Sequence, residues 1–515
     1  MKKSWLSVCL RHITVLLMSF MGSLLLYGCS PLGPEDMETL AIRIQEDLPR
    51  VVNHDFTLPS YPGANITWSV QGNTYEDTFV YESPWTDLET QIDARIRIGG
   101  TTQTYTYPLT VLARDSAANQ NRLDITMPVP LSQLTRETYV PISITVTTTR
   151  NGEAFLEHHA SDAEIRGRGN STWFMPKKPF RVRFSSNTSV LGMPAARNYV
   201  LLAEYADKSL LRNTIVHKFS SLLEHLDHHI QTRAVEVYVN GTNQGVYTLT
   251  EHVEIHRNKL FIESVPGELN TGYFFELDQR FWEQDIDEGF DWIVVRGIPY
   301  DIKRPNTSHD NYTAAQAEFL REIILAAEDA LIAQSGYEDL IDVDNWIDYF
   351  IVHELFKNVD VGWSSVFAYR EKDGKLKLGP LWDFDLAIGN ANYIDWGVEN
   401  WYGMREHKNR WFRLMMDVPE IRLRFRDRYL EIHALYLPEI IQAVPVLAHA
   451  MSDMAGRNFH RWQILNMWVW PNTPPMLEAT TYMGQTEFVL DYIQYRAQWM
   501  AEAVNSSRFL NGQFD

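Results

Sequence analysis

Three aspartates at the two ends of one short hairpin are the residues of this chain best suited to chemistry. Asp360 precedes the hairpin, and Asp383 and Asp385 follow it. Val366, Ala368 and Arg370 alternate along the chain with two aromatic residues, as in a strand. An Asp-Gly dipeptide at 373–374 predicts the turn. Because a hairpin brings its two ends together, we expect Asp360 and Asp383 to be neighbours in space.

Carboxylates held this close repel one another unless a proton or a cation lies between them. For a site made of oxygen ligands, the predicted cation is Mg²⁺ or Mn²⁺. The alternative is a hairpin with ordinary solvated aspartates, since acidic residues are common at loop ends.

A glycine turn upstream is the second candidate. The stretch IRGRGNSTW at residues 165–173 predicts a tight turn with many exposed backbone N–H groups, which can hold phosphate. Arginine adds fork-shaped donors for phosphate or carboxylate. The candidate anion-binding residues are Arg166, Gly167, Arg168, Gly169, Asn170 and Ser171. A plain hairpin turn is the alternative.

A lysine lies next to the strand that follows. Phe180, Val182 and Phe184 predict the buried face of a strand, and Lys178 shares their parity. We therefore expect Lys178 to point inward and Lys177 to point outward. A buried lysine needs a partner, either a nucleotide phosphate or an acidic side chain. Alternatively, Lys178 reaches solvent beside the strand end.

The intervening chain must position these residues. Periodicity predicts a helix over 210–226 and helices over 314–334 and 345–357, the last of which leads into Asp360. An Asn-Gly turn predicts a hairpin over 235–251. The polar stretch 281–312 is predicted to be an insertion or lid.

The start of the chain predicts export. Positive residues and an apolar run form a signal over residues 1–28, which resembles a bacterial lipoprotein signal with Cys29 as the lipidated residue. A retained membrane anchor is the alternative, but the apolar run is shorter than the ~20 residues that a span needs. Residues 30–38 are predicted to be a tether. A protein lipidated at Cys29 would be anchored in the bacterial cell envelope.

Composition limits the partners. Cys9 and Cys29 are the only two cysteines, so the mature chain has neither a disulfide nor a thiolate zinc site. The formal charge of −20 becomes −23 when the three cations of the signal are removed. A chain this acidic has no general affinity for nucleic acid.

Residues 39–115 contain short alternating runs separated by turns, which predict a small all-β sandwich. Its ITWSV and YPLTV segments resemble an atrophied bacterial immunoglobulin-like module. A domain boundary is predicted near 115–122. Residues 401–515 are predicted to be a helical C-terminal extension rich in aromatic residues, used for core packing or as a stacking surface.

Six motifs in order carry a family resemblance over roughly residues 123–400. They are RGRGNSTW, KKPFRVRF, NYVLLAEYADKSLLRN, VYVNGTNQGVYTLTEHV, HELFKNVD and GPLWDFDLAIGN. The order closely resembles the CotH (spore coat protein H) kinase family, whose members are similar in fold to protein kinases and bind ATP with Mg²⁺. The resemblance implies an α+β, protein-kinase-like domain.

The resemblance also implies roles. Residues 167–172 would cover the phosphates, Lys178 would contact them, and the Glu251 segment would hold adenine by its backbone. Asp360 would accept or orient the substrate hydroxyl, and Asp383 would hold the metal. One departure concerns Ser365, which stands where kinases have an asparagine as second metal ligand; Asp385 is a candidate to compensate.

Three functions are compatible with these residues. The first is an exported kinase that phosphorylates serine or threonine of an envelope protein. The second is a catalytically weak or inactive kinase-like scaffold. The third, metal-assisted hydrolysis, would need a water-activating group, for which His353 and Glu354 are the candidates. Either Glu204 or Asp207 would pair with Lys178.

Overall fold

A computed structural model describes residues 37–52, 55–82, 84, 88–112, 120–150, 153–280 and 288–514. The predicted signal, Cys29 and most of the tether lie outside these ranges, as does most of the predicted boundary at 115–122. The chain divides into two compact units between residues 113 and 114.

The first unit combines a helix with two sheets. Helix α1 (Met37–Asp47) is followed by a five-stranded sheet of order β1-β7-β6-β3-β4 and a two-stranded sheet β2-β5. The strands are β1 (Val51–Val52), β2 (Phe56–Thr57), β3 (Asn65–Val70), β4 (Asn73–Tyr75), β5 (Thr78–Phe79), β6 (Leu88–Ile98) and β7 (Thr101–Val111).

The prediction of an all-β module is therefore wrong at its start. Helix α1 buries Leu40, Ala41 and Ile44 on one face, and Leu40 and Ile44 join the core of the unit with Trp68. Helical spacing of these apolar residues outweighs the strand alternation that dominates the rest of the unit.

The second unit opens with a closed seven-stranded barrel of order β10-β11-β12-β14-β13-β8-β9. Its strands are β8 (Gln120–Thr126), β9 (Val140–Arg150), β10 (Glu153–Gly167), β11 (Phe180–Thr188), β12 (Ala196–Leu202), β13 (Thr232–Val239) and β14 (Thr242–Glu251). Alternate residues such as Val182, Leu201 and Val237 fill its interior. The Asn-Gly hairpin between β13 and β14 is confirmed.

A five-stranded sheet of order β16-β17-β15-β18-β19 follows. It contains β15 (Tyr273–Leu277), β16 (Trp292–Val295), β17 (Ile298–Arg304), β18 (Val366–Arg370) and β19 (Lys377–Leu378). The Asp-Gly hairpin joining the last two strands is confirmed. The stretch 281–312, predicted to be an irregular insertion or lid, is instead regular over residues 292–304, because β16 and β17 pair with each other and add to this sheet.

Helices complete the second unit. They are α2 (Arg212–Ser220), α3 (Ala314–Ile332), α4 (Val343–Leu355), α5 (Arg410–Asp417), α6 (Pro419–Leu435), α7 (Leu437–Ala450), α8 (Ser452–Arg461), α9 (Pro474–Glu478), α10 (Tyr482–Ala503) and α11 (Ser507–Leu510). Helix α2 is shorter than predicted, whereas α3 and α4 lie where periodicity placed them. The α+β class is confirmed.

In the described ranges no single helix is long and apolar enough to cross a membrane. Helices α6 and α7, bent by 47° at their junction, pass that test only as a pair.

Candidate functional site

One cavity of about 550 Å³ in the second unit gathers most of the candidate residues. The turn after β10 and the end of β12 form one side, and the loop after α4 and the segment 383–386 form the other. The charged and polar residues that line it include Arg168, Asn170, Ser171, Thr172, Glu204, Asn213, Arg280, Asp360, Ser364, Asp383, Asp385, Tyr393, Tyr402, His407 and Lys408.

Asp360, Asp383 and Asp385 all face this cavity. Burial and the neighbouring Asp383 charge raise the pKa of Asp360 to about 7, while Arg280 opposes the rise. Burial, with repulsion from Asp383, Glu204, Asp360 and Asp207, holds the pKa of Asp385 well above its ordinary value. The hairpin thus brings together the acids that the sequence separated.

Asp383 occupies a position defined from three sides. Its backbone is left-handed, with φ of +61°. Its carbonyl oxygen accepts a hydrogen bond from Asn358 Nδ2 at 3.2 Å, and its Oδ2 accepts one from Ser365 Oγ at 3.3 Å. Asp383 lines the cavity in this left-handed conformation, which is uncommon for residues other than glycine.

Ser365, the predicted metal ligand, therefore lies against Asp383. Its backbone N–H donates to Glu276 Oε1 at 3.1 Å. The short hydroxyl reaches the carboxylate of Asp383, and so the structure places Ser365 beside one acid of the cavity.

Only part of the glycine turn lines the cavity. Arg168, Gly169, Asn170 and Ser171 line the cavity. Burial lowers the pKa of Arg168, although Asp383 and Asp385 act in the opposite direction. Its guanidinium lies 5.6 Å from the ring centroid of Trp382. Arg168 is therefore the cation of this turn that faces the acids.

The other two residues of the turn support it from outside. Arg166 Nη1 donates to the carbonyl of Arg136, and its guanidinium lies 5.2 Å from the ring of Tyr139. Gly167 is needed for close packing, because a Cβ there would lie 2.2 Å from the ring of Trp173. Neither is among the residues lining the cavity.

The predicted orientation of the two lysines is wrong. Lys177 is 1% exposed, whereas Lys178 is only partly buried and its Nζ donates to the carbonyl of Trp173 at 2.7 Å. Strand pairing begins at Phe180, so strand alternation does not extend back to Lys178. Neither Glu204 nor Asp207 is an ion-pair partner of Lys178 among the described contacts.

Lys177 is the lysine that faces inward. Its ammonium donates to the carbonyl of Val246 and, at 3.0 Å, to Asn458 Oδ1. Burial lowers its pKa to about 7, and the negative charge of Glu204 acts against that shift. Glu204 in turn lines the cavity.

Glu251 lies away from the cavity. It is the last residue of β14, its backbone pairs with Tyr199 in the barrel, and its carboxylate accepts from the backbone N–H of Gln231 at 2.9 Å. His228 Nε2 lies 3.2 Å from the same carboxylate. The backbone of Glu251 itself is thus engaged within the sheet.

Sequence reasoning missed the cavity residues Asn213 and Arg280, and it considered Glu204 only as a partner of Lys178. Glu204 and Asn213 hydrogen-bond to each other at 3.0 Å, and Asn213 Oδ1 accepts the Phe384 N–H at 2.9 Å. Arg280 is held by Asp278, with Nε–Oδ1 at 2.8 Å, and it faces Asp360. No sequence signal predicts the positive φ of Glu204, which is +49°. No motif around Arg280, which follows strand β15, indicates that it lines a site.

Arg212, which precedes Asn213 in helix α2, has a structural role. Arg212 pairs with Asp207, both side chains being fully buried, and donates to the carbonyls of Ala387 at 2.9 Å and Ile388 at 3.1 Å. It therefore holds the chain just after the acidic segment.

The two groups considered for hydrolysis lie in the interior. The ring of His353 packs 5.1 Å from that of Phe384, and Glu354 accepts from the backbone N–H of Tyr402 and, at 2.7 Å, that of Gly403. Both side chains are buried and neither is among the cavity-lining residues.

The donor set fits a hard divalent cation that also binds phosphate. The part of the chain that the structure describes contains no group of three or more His, Cys, Asp or Glu side chains arranged for a metal. Mg²⁺, however, is usually held by one or two carboxylates together with substrate phosphates. Asp383 and Asp385 supply two carboxylates whose repulsion a cation would relieve.

Comparison with known proteins gives one family. The model for "CotH kinase protein" matches residues 165–500, which is more than half of the chain. No curated protein matches the sequence. The matched range includes the glycine turn, the three aspartates and helices α5 to α9. This chain belongs to the CotH kinase protein family.

Proposed function

We propose that this protein is an exported, lipid-anchored atypical protein kinase. It transfers the γ-phosphate of ATP to a serine or threonine of another protein of the bacterial cell envelope. The observation that carries the proposal is the cavity shared by Asp360, Asp383, Asp385 and the Arg168–Ser171 turn. Phosphoryl transfer needs positioning and charge neutralisation more than covalent chemistry, and this set of groups supplies both.

Asp360 is the proton acceptor in this proposal. A pKa of about 7 suits a general base near neutral pH. A bond forms between the acceptor oxygen and the γ-phosphorus, and the bond from that phosphorus to the ADP oxygen breaks. The hydroxyl proton passes to the carboxylate of Asp360.

Cationic groups act on the phosphates from two sides. Arg168 and the Gly169–Ser171 backbone face the cavity from the barrel, and Arg280 faces it from the end of β15. Arg280 is kept charged by Asp278, because ion pairing with this neighbour raises its pKa against the effect of burial. Such fixed cations favour the charge that spreads over a transferring phosphoryl group.

Asp383 and Asp385 would hold Mg²⁺ or Mn²⁺, with Ser365 beside them. When bound, the metal neutralises phosphate charge and orients the γ-phosphate. The placement of Ser365 Oγ against Asp383 Oδ2 supports this assignment.

Export and anchoring rest on the sequence alone. The positively charged start, the apolar run and Cys29 support a lipoprotein signal. The expected location is the outer face of a membrane in the cell envelope.

The test is a thermal-shift titration of the full chain in detergent with ATP and Mg²⁺ or Mn²⁺. A ligand at 100 times its Kd should stabilise the protein by about 2.7 kcal/mol, a shift of a few degrees. Asp383→Asn should abolish the metal-dependent shift. Asp339→Ala, at an exposed site, is the matched control and should retain it.

If neither metal produces an ATP-dependent shift, the kinase proposal fails. If the shift is present, incubation of the protein with labelled ATP and envelope proteins should transfer phosphate to a serine or threonine, and the Asp360→Asn variant should not.

The second candidate is a kinase-like scaffold that binds nucleotide without transferring phosphate. Ser365 favours it, since a serine is a weaker metal ligand than asparagine. This candidate predicts a metal-dependent shift with ATP but no labelled acceptor, and Ser365→Asn would then increase the affinity for the metal.

A further inference from the structure

Helix α8 reaches into the region behind the cavity through one side chain. Asn458 is 2% exposed, and its Oδ1 accepts from the backbone N–H of Val246 at 3.0 Å and from Lys177 Nζ at 3.0 Å. A single amide oxygen thus joins a C-terminal helix both to strand β14 and to the buried lysine.

Strand β14 is shaped to admit this side chain. Gly245 has φ of +90°, and a Cβ at that position would lie 2.3 Å from Asn458 Oδ1. Any larger residue would push Asn458 away from Val246. The absence of a side chain at Gly245 therefore makes room for the amide of Asn458.

The contacts on either side of Asn458 hold the helix in place independently. Trp462 Nε1 donates to the carbonyl of Gln244 at 2.9 Å. Arg457 forms a bidentate ion pair with Glu236, with Nε–Oε1 at 2.8 Å and Nη2–Oε2 at 2.7 Å. Neither contact involves Lys177, so each provides a control for the anchoring of the helix.

Lys177 links Asn458 to the cavity. The titratable groups that face its ammonium are Glu204, from the chain after β12, and Tyr247, whose ring centroid lies 4.6 Å from Nζ. Lys177 lowers the pKa of Glu204, whereas burial and Asp207 raise it to about 7. The ammonium therefore favours the ionised form of a carboxylate that lines the site.

Glu204 is connected to the acidic segment through Asn213. It accepts from Asn213 Nδ2, and Asn213 accepts from the N–H of Phe384, between Asp383 and Asp385. The charge interaction between Lys177 and Glu204, followed by the hydrogen bonds of Asn213, thus connects helix α8 to the acidic segment.

We propose that Asn458 is a positioning residue of the candidate site, which holds Lys177 behind Glu204 so that the Glu204–Asn213 pair keeps the Asp383–Asp385 segment in place. The proposal rests on the proposed function for its consequence in nucleotide binding. It assigns to the C-terminal part of the chain a role in completing the site.

The experiment compares four variants of the full chain in detergent. Asn458→Leu removes the acceptor at similar volume, and Asn458→Asp keeps an acceptor at the same place. Trp462→Phe and Arg457→Ala loosen the same helix without touching Lys177. Two properties are measured: the titration of Lys177 by NMR of ¹³Cε-labelled lysine, with the signal assigned by Lys177→Arg, and the affinity for ATP with Mn²⁺.

Lys177 in the unmodified protein should titrate near pH 7. Asn458→Asp should move that midpoint upward by about one pH unit or more, since a carboxylate favours the ammonium. Asn458→Leu should move it downward and weaken ATP binding by tenfold or more. Both controls should lower the melting temperature. They should leave the Lys177 midpoint unchanged and the ATP affinity within about twofold of that of the unmodified protein.

Two results would overturn the proposal. An unchanged Lys177 midpoint in Asn458→Leu would show that Asn458 only stabilises the fold. A shifted midpoint with unchanged ATP affinity would show that Lys177 does not act on the site. If the unmodified protein binds no ATP, the proposed function fails, and the NMR titration still decides whether Asn458 anchors Lys177.

Discussion

Asn213 Oδ1 accepts the backbone N–H of Phe384 at 2.9 Å, and so joins helix α2 to the segment that carries Asp383 and Asp385. The same side chain donates to Glu204 Oε1 at 3.0 Å. With Asn213 only 2% exposed, both bonds are shielded from water. The position of the acidic segment therefore depends on an amide about 170 residues upstream.

Replacing Asn213 should separate stability from metal binding. Asn213→Ala leaves the Phe384 N–H and the Glu204 carboxylate without their partner, so we expect the free energy of unfolding to fall by about 2–4 kcal/mol. Because the acidic segment is released, Mn²⁺ affinity should fall by tenfold or more. Urea denaturation and calorimetric Mn²⁺ titration measure the two effects.

Asn121→Ala is the matched control for that change. Asn121 is buried in the barrel, where it donates to the carbonyl of Ala234 at 3.0 Å and accepts from Thr148. It should cost similar stability without changing Mn²⁺ affinity. Equal losses of metal affinity in both variants would contradict the role assigned to Asn213.

Removing the charge of Asp383 should stabilise the metal-free protein. Its carboxylate raises the pKa of both Asp360 and Asp385 by repulsion. Asn tolerates the left-handed backbone at this position, so Asp383→Asn should increase the free energy of unfolding by about 1 kcal/mol. Added Mn²⁺ should then stabilise only the unmodified protein. A loss of stability in the metal-free variant would mean that the acids do not repel one another.

Asp360 predicts a specific pH dependence of stability. Its folded pKa of about 7 lies above its unfolded value, so its protonation stabilises the fold at low pH, and this contribution is lost as the pH rises through about 7. Asp360→Asn should therefore gain stability relative to the unmodified protein as the pH rises from 4 to 7, by about 1–3 kcal/mol after solvent screening. Unfolding curves at intervals of pH, without metal, measure this difference.

The same variant has a second expected outcome. If Asp360 is the proton acceptor, phosphate transfer by the unmodified protein should increase with pH through about 7, and Asp360→Asn should reduce it by a factor of at least about 100. If the difference in stability between Asp360→Asn and the unmodified protein does not change with pH, the pKa of Asp360 is not raised.

The two adjacent lysines should differ sharply. Lys177→Met removes a buried ammonium that donates to the carbonyl of Val246 and to Asn458 Oδ1, which keeps only the N–H of Val246. The change should cost about 2–4 kcal/mol of stability and weaken ATP binding. Lys178→Met loses one partly exposed hydrogen bond, to Trp173, and should cost less than about 1 kcal/mol. Thermal shifts with and without ATP compare them. A larger effect at Lys178 would reverse the assignment.

Two glycines of one hairpin provide a matched pair. Gly241 and Gly245 both have positive φ, +78° and +90°, but a Cβ would meet nothing within 4 Å at Gly241 and Asn458 Oδ1 at Gly245. Each alanine substitution should cost about 1 kcal/mol for the backbone alone. Gly245→Ala should cost roughly 2 kcal/mol more, because Asn458 must move. Equal losses in urea denaturation would show that the contact is unimportant.

Much of the local structure was predictable. The hairpins with turns at Asn240-Gly241 and Asp373-Gly374 and the helices α3 and α4 follow from turn chemistry and apolar periodicity. These signals act over a few residues, so the sequence carries them directly. The meeting of Asp360 with Asp383 follows from the second hairpin.

The sequence by itself thus determined the family motifs, the main elements and the acids of the candidate site. Only the tertiary structure decided that Lys177 rather than Lys178 is buried, because Pro179 separates both from a strand that begins at Phe180. Only it placed Asn458 against Lys177, 281 residues apart. Short-range rules determine which elements form, whereas the side chains that meet inside the protein depend on how distant elements pack.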